Sequence, residues 1–163
     1  MDNVATHESW KFHFSELAPG LLLFARQWVR SAADAEDIVQ EAFVRFWRQN
    51  RDVANRGLLY ATVRSVALDL IRRDSRRARR EAEAYSDVPQ AIEPQFEGAD
   101  DSSLLLAGAI NRLPHEQREV LVMKIWNDLT FAEIAEGLGI SPNTAASRYR
   151  YALASLKKDL LPQ

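Results

Sequence analysis

Apolar residues recur along this chain of 163 residues at helical spacing, and nowhere does a strand-like alternation persist. Leu17 to Val29 is largely apolar. A second stretch opens near Asp34, with acids in its first turn where they suit the helix dipole. It spaces Ile38, Val39, Ala42, Phe43, Phe46 and Trp47 so that they form one apolar stripe on a helix. A third helix is expected from near Gly57, burying Leu59, Val63, Val66, Leu70 and Ile71. It runs into a basic tail of Arg72, Arg73, Arg76, Arg77, Arg79 and Arg80. The pattern resumes with Leu104 to Leu113, then with a helix that Pro114 starts and that carries Val120, Leu121, Ile125 and Trp126. Asn127-Asp128 reads as a turn. The expected fold is all-α: two small helical domains, one over 10–80 with three or four helices and one over 104–160.

The stretch between them, Glu81 to Ser103, holds Pro89, Pro94, Gly98, seven acids and only scattered apolar residues. Such a segment cannot bury enough surface to offset the entropy of ordering it, so it reads as a flexible acidic linker. The net charge of -2 hides this asymmetry. Residues 10–80 carry 14 Lys or Arg against 8 Asp or Glu, the linker none against 7, and residues 104–163 carry 7 against 6. Separate segments with opposite charge point to separate jobs.

Composition narrows the classes further. With no cysteine there is no disulfide and no thiolate metal site, and His7, His13 and His115 lie too far apart for ligand spacing. No cofactor is expected. No apolar run reaches about 18 residues, so no membrane insertion is expected. Met1 to Glu8 shows no basic segment followed by an apolar one, so no secretory signal is expected and a cytoplasmic location follows. No nucleophile–base pair or glycine-rich phosphate loop is visible, and the acids fall at helix starts, on solvent faces and in the linker. The chain is therefore not expected to be an enzyme.

The most informative stretch runs from Thr130 to Lys158. Thr130-Phe131-Ala132-Glu133 has the form of a capping box and opens a short helix that buries Ile134, Ala135 and Leu138. Gly139 ends it, Ser141 caps the next helix, and Pro142 suits that helix's first position. A short capped helix, a tight turn and a longer helix make the layout of a DNA-binding helix-turn-helix. On the second helix Ala145, Tyr149, Ala152 and Leu156 share an inward face. Asn143, Ser147 and Arg150 fall opposite, with Thr144, Arg148 and Tyr151 at the edges. These groups suit base edges and phosphates. A plain helical hairpin with a solvated polar face is the alternative.

Leu113-Pro114-His115-Glu116-Gln117-Arg118-Glu119-Val120-Leu121, then Leu129 to Ala135 and Gly139 to Arg148, together resemble domain 4 of the extracytoplasmic-function (ECF) sigma factors. Asp34-Ala35-Glu36-Asp37-Ile38-Val39-Gln40-Glu41-Ala42-Phe43 is similar to their polymerase-binding helix. Val63-Arg64-Ser65-Val66-Ala67-Leu68-Asp69-Leu70-Ile71-Arg72-Arg73 is similar to their promoter-melting, minus-10-reading helix. The resemblance implies a factor that binds core RNA polymerase and directs initiation at promoter DNA, often held by an anti-sigma protein. It implies that Asp37, Gln40, Glu41, Val44 and Arg48, opposite the second helix's apolar stripe, grip the polymerase clamp. Arg64, Ser65, Asp69, Arg72, Arg73 and Arg76 would hold the minus-10 element, and Asn143, Thr144, Ser147, Arg148, Arg150 and Tyr151 would read the minus-35 element.

The chain departs from the family pattern at Ser65, where Asn is frequent, at Ala146, where a basic residue is, and at Tyr151, where Arg is. The Asn50 to Arg56 segment, which in the family holds a flipped promoter base, is short. In the family the linker threads basic channels of the polymerase. Here its acids could mimic nucleic acid or fold back on the arginine tail, with a solvated spacer as the simpler reading. A stand-alone helix-turn-helix regulator, and a sigma-like protein without promoter reading, are the alternative functions. No dimerisation heptads or effector domain support the first.

Overall fold

The computed structural model describes residues 2–49, 51–52, 54–84 and 100–161. Among these residues there are seven helices and no strands. The first unit holds α1 (Asp2–Ala25), α2 (Ala32–Arg48) and α3 (Arg56–Ala84); the second holds α4 (Asp101–Arg112), α5 (His115–Asn127), α6 (Phe131–Leu138) and α7 (Pro142–Leu160). Of the expected linker, the two ends are helical, since α3 runs to Ala84 and α4 starts at Asp101. The rest of it, residues 85–99, lies outside the described residues.

Local chemistry explains the helix ends. The Ser31 hydroxyl accepts the Asp34 N–H at 3.0 Å and starts α2. Asp100 accepts the Ser103 N–H at 2.7 Å and starts α4. That backbone bond holds the Asp100 carboxyl below the usual carboxylate range. α5 closes on Asp128 in the left-handed conformation at φ 48°. α6 opens on a complete capping box, with Glu133 N–H to Thr130 at 3.1 Å and Thr130 N–H to Glu133 at 3.0 Å. It closes on Gly139 at φ 67°, a left-handed conformation that glycine adopts without a Cβ clash. Ser141 then caps α7, with Pro142 in its first turn.

In the first unit Leu21, Phe24, Ile38, Phe46, Leu59, Tyr60 and Val63 are fully buried. Their core does not stop at the linker. Val120, Val122, Met123, Leu129, Ile134 and Ala145 of the second unit belong to the same packed cluster. α1 packs on α5, and α3 packs on α6. A smaller cluster of Ile110, Leu113, Leu121 and Ala152 joins α4, α5 and α7. The two helical units therefore pack against each other as well as within themselves.

Three features differ from the helical pattern. α1 starts at Asp2, well before Leu17, and ends at Ala25; Gln27 and Trp28 then donate to Phe24 and Ala25 in a turn. Ile71, expected in the core, is exposed. Val66 and Ala67 are the last buried residues among the described side chains of α3; Leu68 and Leu70 still pack against the core, and residues 71–77 are all exposed. Trp47 is exposed on one side and rests edge-on against Trp10, at 5.2 Å between rings.

Candidate polymerase and promoter interface

On α2 the buried residues are Ala35, Ile38, Val39, Ala42, Phe43 and Phe46. Asp37, Gln40, Glu41, Val44 and Arg48 are all exposed on the other side. Val44 is 45% exposed amid polar neighbours, an arrangement suited to the centre of a protein contact. Arg45 donates to Glu41 at 3.1 Å and lies 3.7 Å from Asp69, so it ties the α2 face to α3.

The residues expected to hold the minus-10 element divide into two groups. Ser65, Arg72, Arg73 and Arg76 are exposed, and Asp69 is partly so. Arg72 has only a distant pairing with Asp69, at 3.8 Å. Arg64 behaves differently. Its Nε donates across to Glu119 on α5 at 3.2 Å. Glu119 is 2% exposed and also takes His115 Nε2 at 2.7 Å. Arg64 was expected at the margin of a DNA face, and the structure gives it a carboxylate partner from the second unit.

Beside Ser65 lies a cleft of about 200 Å³, lined by Arg45, Gln49, Arg51, Ala61, Thr62 and Ser65. It sits where the end of α2 meets the first turns of α3, so the short connection after α2 still borders a cavity.

In the second unit α6 and α7 form the expected helix-turn-helix. Ala145 and Ala152 are buried, and Tyr149 and Leu156 pack against the core, Tyr149 beside Phe131 at 5.7 Å. Asn143, Arg150 and Tyr151 are exposed, while Thr144, Ser147 and Arg148 are half-buried. Arg150 donates to the Ser147 hydroxyl at 3.2 Å, and Arg148 lies 3.6 Å from Glu116. The Thr144 N–H is taken by the Ser141 cap at 3.1 Å.

The junction between the units has polar ties that periodicity did not reveal. Arg56 grips both Glu133 oxygens, at 2.8 and 3.2 Å, and donates to the Asn127 carbonyl at 2.6 Å. Burial pushes the Glu133 carboxyl up, but the Thr130 N–H and the Arg56 guanidinium outweigh it and hold it below the usual range. Tyr60 hydrogen-bonds the Asn127 side chain, and burial raises its phenol well above the ordinary tyrosine value. Trp28 meets His115 edge-on at 5.0 Å. His115 and Glu119 stand one helical turn apart, which could have flagged a pair on one face. Their partner Arg64 lies 55 residues from Glu119 in the chain and carried no such signal.

Comparison with known proteins decides the family. The profile described as "Sigma-70 region 2" matches residues 13–77, and "Sigma-70, region 4" matches residues 103–156. The ECF RNA polymerase sigma factor SigL of Mycobacterium tuberculosis is 30% identical over 154 residues, covering 90% of this chain and 86% of its own. This chain belongs to the ECF RNA polymerase sigma factors. The RNA polymerase sigma-E factor of Streptomyces avermitilis is 32% identical over 142 residues, covering 86% of this chain and 78% of its own. The sigma factor RpoE of Bartonella quintana, solved with the anti-sigma factor NepR, shares the fold with a TM-score of 0.67. It is 21% identical over 94% of this chain and 97% of its own. Region 2 of this sigma factor thus falls on α1 to α3 and region 4 on α4 to α7. ECF sigma factors are transcription initiation factors. Among the described residues no helix is long and apolar enough to cross a membrane, and no group of His, Cys, Asp and Glu could hold a metal ion.

Proposed function

We propose that this sigma factor binds core RNA polymerase with the outer face of α2 and divides promoter recognition between its two regions. Residues 10–80 bind polymerase and open and read the minus-10 element; residues 81–103 tether; residues 104–160 read the minus-35 element. The observation that carries this reading is the α2 face: Asp37, Gln40, Glu41, Val44 and Arg48 are exposed together, opposite the buried stripe. The factor acts by binding and not by catalysis, in the cytoplasm where polymerase and chromosome meet. An anti-sigma protein is its expected partner when silent, by likeness to the Bartonella factor solved with NepR.

Polymerase binding is tested by the double variant Gln40→Ala, Glu41→Ala. Removing two polar contacts near the centre of an interface is expected to weaken core binding about tenfold or more, each contact being worth on the order of 1 kcal/mol. Co-purification or native-gel titration with core polymerase measures it, and wild-type affinity in the double variant refutes the assignment.

On α3, the exposed arginines Arg72, Arg73 and Arg76 suit the phosphates of the opened strand, because a guanidinium fork gives paired donors. The cleft beside Ser65 is the place where a base freed from the stack would be held, with Gln49, Thr62 and Ser65 offering hydrogen bonds. On α7, Asn143, Ser147, Arg148 and Arg150 meet the minus-35 bases, with Thr144 and Tyr151 at the edges. Replacing Arg150 by Ala is expected to relax preference at one base pair, by about 1–3 kcal/mol. Selection from a randomised promoter library with run-off transcription reads this. A uniform loss over all sequences would instead mark Arg150 as a phosphate contact.

A further inference from the structure

The second half of α3 gathers its arginines on one side. At about 100° per residue, Arg72, Arg73, Arg76, Arg77, Arg79 and Arg80 fall within about 160° of the helix circumference. Residues 71–77 are all exposed. Between Ser65 and Ala84 the helix has one hydroxyl, that of Ser75, at the edge of the arginine face. A helical serine or threonine commonly turns its proton to the carbonyl one turn back. Thr62 does so on this helix, donating to the Leu58 carbonyl at 2.9 Å. Ser75 makes no hydrogen bond among the described residues. Alanine would hold an exposed helix better, so folding gives no reason for a serine there.

Arg72 and Arg73 stand three and two residues before Ser75, and Arg76 and Arg77 follow it. Arginines on the N-terminal side of a hydroxyl suit the acidic substrate cleft of a basophilic protein kinase, which selects its substrates by charge pattern. Such a cleft takes an extended segment, and a stretch of helix with all its side chains in solvent unwinds locally at small cost. We propose that Ser75 is a phosphorylation site that switches off promoter binding by α3. The loss of promoter binding rests on reading α3 as the promoter-strand helix; the modification itself does not.

In the transfer, the Ser75 Oγ attacks the γ-phosphorus of ATP held by the kinase. The Oγ–P bond forms as the bond from that phosphorus to the β,γ-bridging oxygen breaks. ADP leaves, and the hydroxyl proton passes to the kinase's catalytic carboxylate. The product carries about 1.5 to 2 negative charges at pH 7. Ser75 lies one turn from Arg72 and one turn from Arg79, about 60° and about 40° around the helix, which puts both guanidiniums within reach of its phosphate. Arginine grips a phosphate with paired donors, and the existing Arg72 pairing, with Asp69 at 3.8 Å, is too long to compete. Arg72 and Arg79 then hold a phosphate of their own chain in place of the promoter's. The added charge also repels the strand from the remaining arginines.

The test treats the full chain with ATP and the catalytic subunit of cyclic-AMP-dependent kinase, a basophilic enzyme, and locates the phosphate by mass spectrometry. Phosphate is expected on Ser75. The same phosphopeptide is expected in the chain isolated from its own cells, sampled in growth and in stationary phase. The phosphorylated chain is then joined to core polymerase and promoter opening is titrated with salt. Promoter affinity at about 0.1 M salt should fall about tenfold or more, and the logarithmic salt slope by about 1.4, for two arginines withdrawn from a single strand. Affinity for core polymerase should not change. Ser75→Ala, treated with kinase and ATP, should open promoters as the untreated parent does, and Ser75→Glu should weaken opening less than the phosphate. A bare Ser75 after kinase treatment, or no phosphopeptide from cells, overturns the site. Phosphorylation with unchanged promoter opening overturns the switch, as does a loss of core affinity large enough to account for the effect. The Arg72→Gln, Arg73→Gln chain separates this inference from the functional reading. An unchanged salt slope there defeats the reading of α3, whereas a reduced slope there with no effect of phosphate defeats only the switch.

Discussion

Phe24→Ala is expected to cost this sigma factor about 3–5 kcal/mol of stability, the range for truncating a buried Phe. That is a large share of the roughly 5–15 kcal/mol that holds a typical domain folded. Phe24 is fully buried, and its ring meets Trp28 and Tyr60 edge-on, each at 4.9 Å between centroids. Both neighbours reach across to region 4, Trp28 to His115 and Tyr60 to Asn127. The cavity would therefore loosen the junction as well as region 2. Urea unfolding followed by circular dichroism measures the loss. A value below about 1 kcal/mol would mean that the site collapses to fill the space, and that Phe24 does not hold the shared core.

The second large effect is electrostatic. Replacing Arg72 and Arg73 together by Gln is expected to flatten the salt dependence of promoter opening. Each phosphate contact removed takes about 0.7 from the logarithmic salt slope on a single strand and about 0.9 on duplex, so two remove roughly 1.4 to 1.8. The accompanying loss of affinity at about 0.1 M salt is on the order of tenfold or more. Both side chains lie in the exposed run of residues 71–77 on α3, so the substitutions disturb no packing. Salt titration of open-complex formation with core polymerase provides the measurement. An unchanged slope would show that these arginines are a solvated face and would overturn their assignment to the promoter strand.

The α2 face was legible because a helix repeats every 3.6 residues: once Ile38, Val39, Ala42 and Phe43 are assigned inward, Asp37, Gln40, Glu41 and Val44 must point out. The same rule placed Asn143, Ser147 and Arg150 opposite Ala145 and Ala152. It failed for Ile71, whose spacing is correct but whose side chain is left exposed at the edge of the core. For Arg64 it gave the right side of the helix and missed what faces that side. The cleft beside Ser65 was equally invisible, because Gln49 and Arg51 come from the end of α2 and the chain just after it, and meet Thr62 and Ser65 only when α2 docks on α3.

The sequence by itself determined the all-helical character of the described chain, the caps at Thr130 and Ser141, the stop at Gly139, the helix-turn-helix and the family. These depend on contacts within a few residues or on local motifs, where residue type dictates geometry directly. Only the tertiary structure decided that regions 2 and 4 share a core, that Glu119 is buried against Arg64, and that Arg56 forks onto Glu133. Those partners are separated by 55 and 77 residues. No periodicity encodes such a meeting, because it is set by how two finished helical surfaces fit.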